Sequence, residues 1–220
     1  MRIQLACLLL LLGAFVVGCG SSDAPAPASA PTDPIALNGW PVSNAPSPYV
    51  GSGYAVGDQF PDVTATDQNG NTDVALSQFY GAMVVVSLDA GWATFSPTGA
   101  AEFATMKQEL EDESDEYRVY IISAYFEDAA LNTTDASDGL AWATTHSLTD
   151  PVLVGSTMAQ LWADVGTRSA PSYVILDPLF EVRAVLTGWV GTTAFKNEVR
   201  SAWTAFRAAN PTWTSPFIDN

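Results

Sequence analysis

Only two cysteines occur in 220 residues, and both, Cys7 and Cys19, fall within the first twenty. Everything after Cys19 lacks the thiol that disulfides, soft-metal sites and cysteine nucleophiles require. Histidine is scarcer still. His146 is the only one, and nothing around Thr145-His146-Ser147 has the spacing of a metal or triad motif. A nucleophilic serine needs an adjacent base and a third group to orient that base; one histidine at a helix end does not supply that pattern. Basic residues are few, 8 Lys and Arg against 24 Asp and Glu, for a formal net charge of −16. A field of that sign repels phosphate backbones and anionic headgroups, so no nucleic-acid partner and no electrostatic membrane contact is expected. The longest apolar run, from Leu5 to Val17, has about thirteen residues, short of the roughly twenty that a spanning helix needs.

That run has another reading. Met1 and Arg2 open a short basic region, the apolar stretch follows, and it ends in small residues, as a secretory leader does. Val16-Val17-Gly18-Cys19 resembles a bacterial lipobox. The resemblance implies cleavage before Cys19 and a lipid on its sulfur; an ordinary secretory signal with a coincidental cysteine is the alternative. Residues 1–18 are thus read as a lipoprotein signal peptide. Residues 19–50 form a lipidated cysteine and tether, rich in Ala, Pro and Ser, with a coil reach of roughly 30 Å. Residues 51–220 form one folded domain, long enough to build a core without staples. Such a protein would sit in the bacterial cell envelope, held to the membrane by its lipid. Gly20, rather than Asp, after Cys19 implies the outer membrane, facing the periplasm. Within the tether, Trp40 is an apolar spot expected to dock on the domain.

Asn69-Gly70 between Phe60–Thr66 and Thr72–Leu76 predicts a β-hairpin. Ala82–Leu88 and Arg118–Phe126 are continuous β-branched and aromatic runs, as in strands covered on both faces. Helices are predicted over Pro97–Glu113, Ala136–His146, Thr157–Val165 and Thr192–Ala209, and strands over Ser172–Leu176 and Val182–Leu186. This order of elements predicts an α/β sandwich: a mixed central sheet with helices on both faces and an N-terminal hairpin. Glu109–Glu116 is expected to be a solvated helix end. Asp67 to Asp73 places oxygens at alternate positions loosely like a calcium loop, but its glycine is misplaced and no distal Glu follows, so no metal is expected.

Four segments together carry a family resemblance. Val56-Gly57-Asp58-Gln59-Phe60-Pro61-Asp62-Val63 resembles the opening of redoxin and peroxiredoxin-like members of the thioredoxin superfamily, and Leu76-Ser77-Gln78-Phe79-Tyr80-Gly81 their entry to the central strand. Ala90-Gly91-Trp92-Ala93-Thr94-Phe95-Ser96-Pro97 resembles their A-x-W-C-x-x-C loop, and Ser169-Ala170-Pro171-Ser172 the segment bearing a cis-proline. The resemblance implies a thioredoxin-like three-layer α/β/α sandwich. It also implies that Ala93 and Ser96 stand where the family has its two cysteines. A second alignment lays Ser96-Pro97-Thr98 on a peroxiredoxin's Cys-Pro-Thr, and it too removes the nucleophile. The catalytic set is therefore empty and no cofactor is expected. Trp92, Phe95 and Pro171 remain to line a groove for a peptide or envelope protein. Thiol–disulfide or peroxidase activity, as in the family, is the alternative. The acid that some relatives bury at the end of the central strand is replaced by Ser87, with Asp89 two residues on and directed to the same side.

Overall fold

The computed structural model describes residues 38–43, 50–114 and 116–217. The expected leader, Cys19 and most of the tether lie outside them. Of the tether, residues 38–43 dock on the domain, while Val50 is exposed. Trp40 donates its Nε1 hydrogen to Asp67 and packs against the core, and Asn38 hydrogen-bonds Gln78.

The hairpin is formed by β1 (Thr64–Asp67) and β2 (Val74–Ala75), paired antiparallel with Thr64 opposite Ala75. It is shorter than expected, for Phe60–Val63 approach it as a loop. The Asp67 carboxylate explains the turn: it accepts hydrogen bonds from the backbone N–H groups of Asn69 and Asn71 and from the Asn71 side chain. Desolvation pushes its pKa up, but the donors from Asn71, Trp40 and Asn69 outweigh that and hold it below the ordinary value. Gly70 takes the positive φ the turn requires.

Next come β3 (Met83–Ala90), α1 (Ser96–Ala100), α2 (Phe103–Asp112) and β4 (Val119–Glu127). The helix expected over Pro97–Glu113 is two helices. Glu102 N–H bonds Gly99 O, three residues back rather than four, so the ladder slips there. Then follow α3 (Ala136–His146), β5 (Val152–Val154), α4 (Ser156–Val165), β6 (Ser172–Leu176), β7 (Val182–Thr187) and α5 (Thr192–Ala209). Asp135 caps α3 by accepting from Ser137 and Asp138.

The seven strands lie in the order β2-β1-β5-β4-β3-β6-β7. β3 runs parallel to β4, and β4 to β5, while β6 and β7 are antiparallel additions. Side-chain alternation sends Val84, Val86 and Leu88 to one face with Met158 and Leu161 of α4. It sends Met83 and Val85 to the other, with residues of α2, α3 and α5. The result is a thioredoxin-like three-layer sandwich, in whose sheet β3 lies between β4 and β6.

The acidic run is a solvated helix end, as expected, and it also carries ion pairs. Glu109, Glu113 and Glu116 pair with Lys196, Arg200 and Arg207, so α2 and its C-terminal extension are laced to α5.

Candidate functional site

β3 delivers the chain into a tight loop. Gly91 donates to Glu127 O, and its lack of a side chain is required: a Cβ there would lie 2.6 Å from the Tyr125 hydroxyl and 2.7 Å from the Ala129 nitrogen. The N–H groups of Ala93 and Ser96 then close successive turns onto Ala90 O (3.1 Å) and Ala93 O (3.2 Å). Pro97 starts α1, where its missing N–H costs nothing.

The loop divides its residues by side. Ala93 is 4% exposed and Ser96 0%. The Ser96 hydroxyl accepts the Ala90 N–H at 3.3 Å. Trp92 and Phe95 are 39% and 57% exposed. The Trp92 ring is held edge-on to Phe126, and its Nε1 donates to Glu127 at 2.7 Å. Phe95 sits at the N-cap of α1 and makes no capping bond, although this position favours Ser, Thr, Asp or Asn. Pro171 follows a cis peptide bond and is buried. It lies one step beyond the Leu88–Ser172 pair, beside the end of β3 from which the loop emerges. The three residues expected to line a groove are thus two exposed aromatics and a buried proline just before the neighbouring strand β6.

Under the loop lies a polar cluster in an otherwise apolar layer. Ser87, Ser123 and Tyr173 stand abreast on β3, β4 and β6, and Asp89 is the next inward position on β3. All four are fully buried. Ser123 donates its hydroxyl hydrogen to Asp89 Oδ2 at 2.7 Å. Burial pushes the Asp89 carboxyl up to about 6, with Ser123, Ser87 and Ser96 pulling back from close by. Only the Ser123 contact has good hydrogen-bond geometry, and among the described residues Asp89 Oδ1, Ser87 Oγ and the Tyr173 hydroxyl have no partner. The Tyr173 hydroxyl is pushed well above its ordinary range, first by burial and then by the nearby Asp89 charge.

No nucleophile emerges from this arrangement. The Ser96 hydroxyl faces inward, toward a carboxyl rather than an imidazole, and His146 packs edge-on against Trp142 at 4.3 Å, its pKa lowered by burial. Among the described residues no group of three His, Cys, Asp or Glu side chains is placed to hold a metal ion. The Asp67 oxygens that resembled calcium ligands are occupied by N–H donors. Local sequence carried no signal for the partners of Asp89. Ser123 and Tyr173 lie 34 and 84 positions away, and only the strand register brings them together.

The strand order, the loop after the central strand and the cis-proline beside it define a thioredoxin-like protein. Residues 56–185 match the AhpC/TSA family, and the chain belongs to that family. No curated protein matches it. Among solved structures, it is similar to a candidate protein disulfide isomerase from Bacteroides thetaiotaomicron (14% identity, 73% of this chain and 98% of that one, TM-score 0.55). It is also similar to a candidate thiol:disulfide interchange protein DsbE from Chlorobium tepidum (17%, 67% and 97%, TM-score 0.53). A third is a secreted thiol-disulfide isomerase from Corynebacterium glutamicum (16%, 66% and 85%, TM-score 0.52). At these identities the likeness is one of fold.

Proposed function

We propose that this chain is a non-catalytic redoxin-fold protein of the bacterial cell envelope, anchored by lipid on Cys19, that binds an extended peptide or partner protein on the face carrying Trp92, Phe95 and Pro171. One observation carries the reading. The loop that holds the thiols in its relatives keeps its turn and its helix, yet offers a methyl group at Ala93, an inward hydroxyl at Ser96 and two outward aromatics. An exposed Phe at an N-cap gives α1 no capping bond, and exposed aromatics are favoured anchors of binding surfaces. The secreted relative from Corynebacterium glutamicum supports an exported setting.

Retained thiol–disulfide exchange is the competing reading, favoured by family membership alone. It requires a thiolate, and neither Ala93 nor Ser96 supplies one. The detergent-solubilised protein is therefore expected to be inert in an insulin disulfide-reduction assay and with hydrogen peroxide. Ala93→Cys/Ser96→Cys is expected to gain reductase activity, because the loop already has the turn that brings these two positions together. Turnover by the unsubstituted protein would end the non-catalytic reading.

A further inference from the structure

We propose that Arg168 and Trp162 form a carboxylate-reading subsite at one end of this peptide-binding face, taking an acidic residue flanked by an apolar one. The proposal rests on the peptide-binding reading above and gives its occupant a chemistry.

Trp162, Ala163, Gly166 and Arg168 line an open pocket of about 480 Å³ at the C-terminal end of α4. The other cations of the domain are engaged. Lys107 pairs with Asp150, Arg183 with Asp177, and Lys196, Arg200 and Arg207 with the acids below α5, while Arg118 also has an interaction. Among the Lys and Arg side chains of the described residues, only that of Arg168 has neither an ion pair nor a hydrogen bond. Acids outnumber bases threefold in this chain, so a guanidinium without a carboxylate is the exception that needs a reason.

Its backbone gives a second observation. Arg168 has φ 54°, in the left-handed region that a residue with a side chain enters at a cost. The following carbonyl, Ser169 O, accepts from Trp162 Nε1 (3.1 Å), Ser172 Oγ (2.8 Å) and Thr167 Oγ1 (3.5 Å). That triple anchor fixes the segment leading into Pro171, as expected where strained backbone is held by its surroundings for a use.

Continuity with the loop is the third. Trp162 stacks on Phe126 at 4.8 Å, and Phe126 meets Trp92 edge-on at 6.4 Å. The pocket and the exposed rim of the loop are thus joined by packing beneath the surface, through the fully buried Phe126. A planar guanidinium and an indole lining one pocket suit a carboxylate held in two hydrogen bonds with an apolar neighbour on the ring. The carbonyl end of α4 would by itself repel an anion, so recognition falls on Arg168 alone.

The test uses the full chain in a neutral detergent micelle, labelled with ¹⁵N at tryptophan, with the Trp162 indole signal assigned through Trp162→Phe. The probes are acetyl-Leu-Glu-Phe-amide and acetyl-Leu-Gln-Phe-amide. The Glu peptide is expected to shift the Trp162 signal and to bind at least about threefold more tightly than the Gln peptide. Arg168→Gln should erase that preference and Arg168→Lys should reduce it. Arg168→Gly, which suits the left-handed backbone, should also erase it without lowering the Tm. Phe95→Ser should weaken both peptides alike. Equal affinities in the unsubstituted protein, or a preference that survives Arg168→Gln, overturns the subsite and leaves the binding face standing. If neither peptide moves any indole signal, both fail.

Discussion

Asp89 shows most plainly how one residue's chemistry is set by its surroundings. Its folded pKa, about 6, lies above the ordinary 3.8 because the site is dry and no cation faces it. Between those values the folded chain holds the proton more tightly than the unfolded chain. Stability is therefore greatest below the window and falls as pH rises through it, by on the order of 3 kcal/mol in all. Asp89→Asn keeps an acceptor for Ser123 and cannot ionise. It is expected to raise the Tm at pH 8, to change little at pH 4 and to flatten the curve between them; thermal melts across pH would show this. Gly99 makes the opposite case, since a Cβ there would lie 2.5 Å from the Tyr173 hydroxyl and 3.2 Å from the Trp189 ring. Gly99→Ala is expected to destabilise by about 1–3 kcal/mol in denaturant unfolding, through overpacking. At this scale the sequence was informative wherever the signal was local. Ala93 and Ser96 stand in a loop whose resemblance to the family's cysteine-bearing segment is readable within eight residues of chain. Strand alternation sends Asp89 inward, but the hydroxyls around it are invisible until the strands are paired.

Among the elements, those with a strong period were legible. The helices Ala136–His146 and Thr192–Ala209 and the strand Ser172–Leu176 fall where their patterns place them. β5 was not legible, because three residues carry no period. The signal that would have found it is the apolar Val152-Leu153-Val154 between Pro151 and Gly155. Its place depends on a distant residue, Gln68, whose side-chain oxygen accepts the buried Val152 N–H at 2.8 Å. Gln68→Ala leaves that donor without an acceptor and should cost about 1–3 kcal/mol in chemical denaturation. The acidic run is solvated as expected, but its ion-pair partners were not legible because they lie 87 to 91 residues downstream on α5. Reversing one charge with Arg200→Glu should lower the Tm slightly, and adding Glu113→Arg should recover it. High salt should shrink both effects, since the pair is exposed.

At the level of the whole molecule, stability comes from two apolar layers, one on each face of the sheet. No cysteine lies among the described residues, so a reductant should leave the Tm unchanged, unlike a protein stapled by disulfides. A fall in Tm with dithiothreitol would show that Cys7 or Cys19 forms a structural bond. Gly81, just before β3, has a further consequence. A Cβ there would lie 2.3 Å from Pro216 and 3.6 Å from Ser43, and Phe217 packs on Tyr120 at the start of β4. The last described residues thus sit at the opposite end of β3 from the loop, eight residues and about 25 Å away. A fluorescent reporter or affinity handle attached near Phe217 would lie away from the loop and leave Trp92 and Phe95 clear, so the proposed peptide binding can be tested without the label covering them.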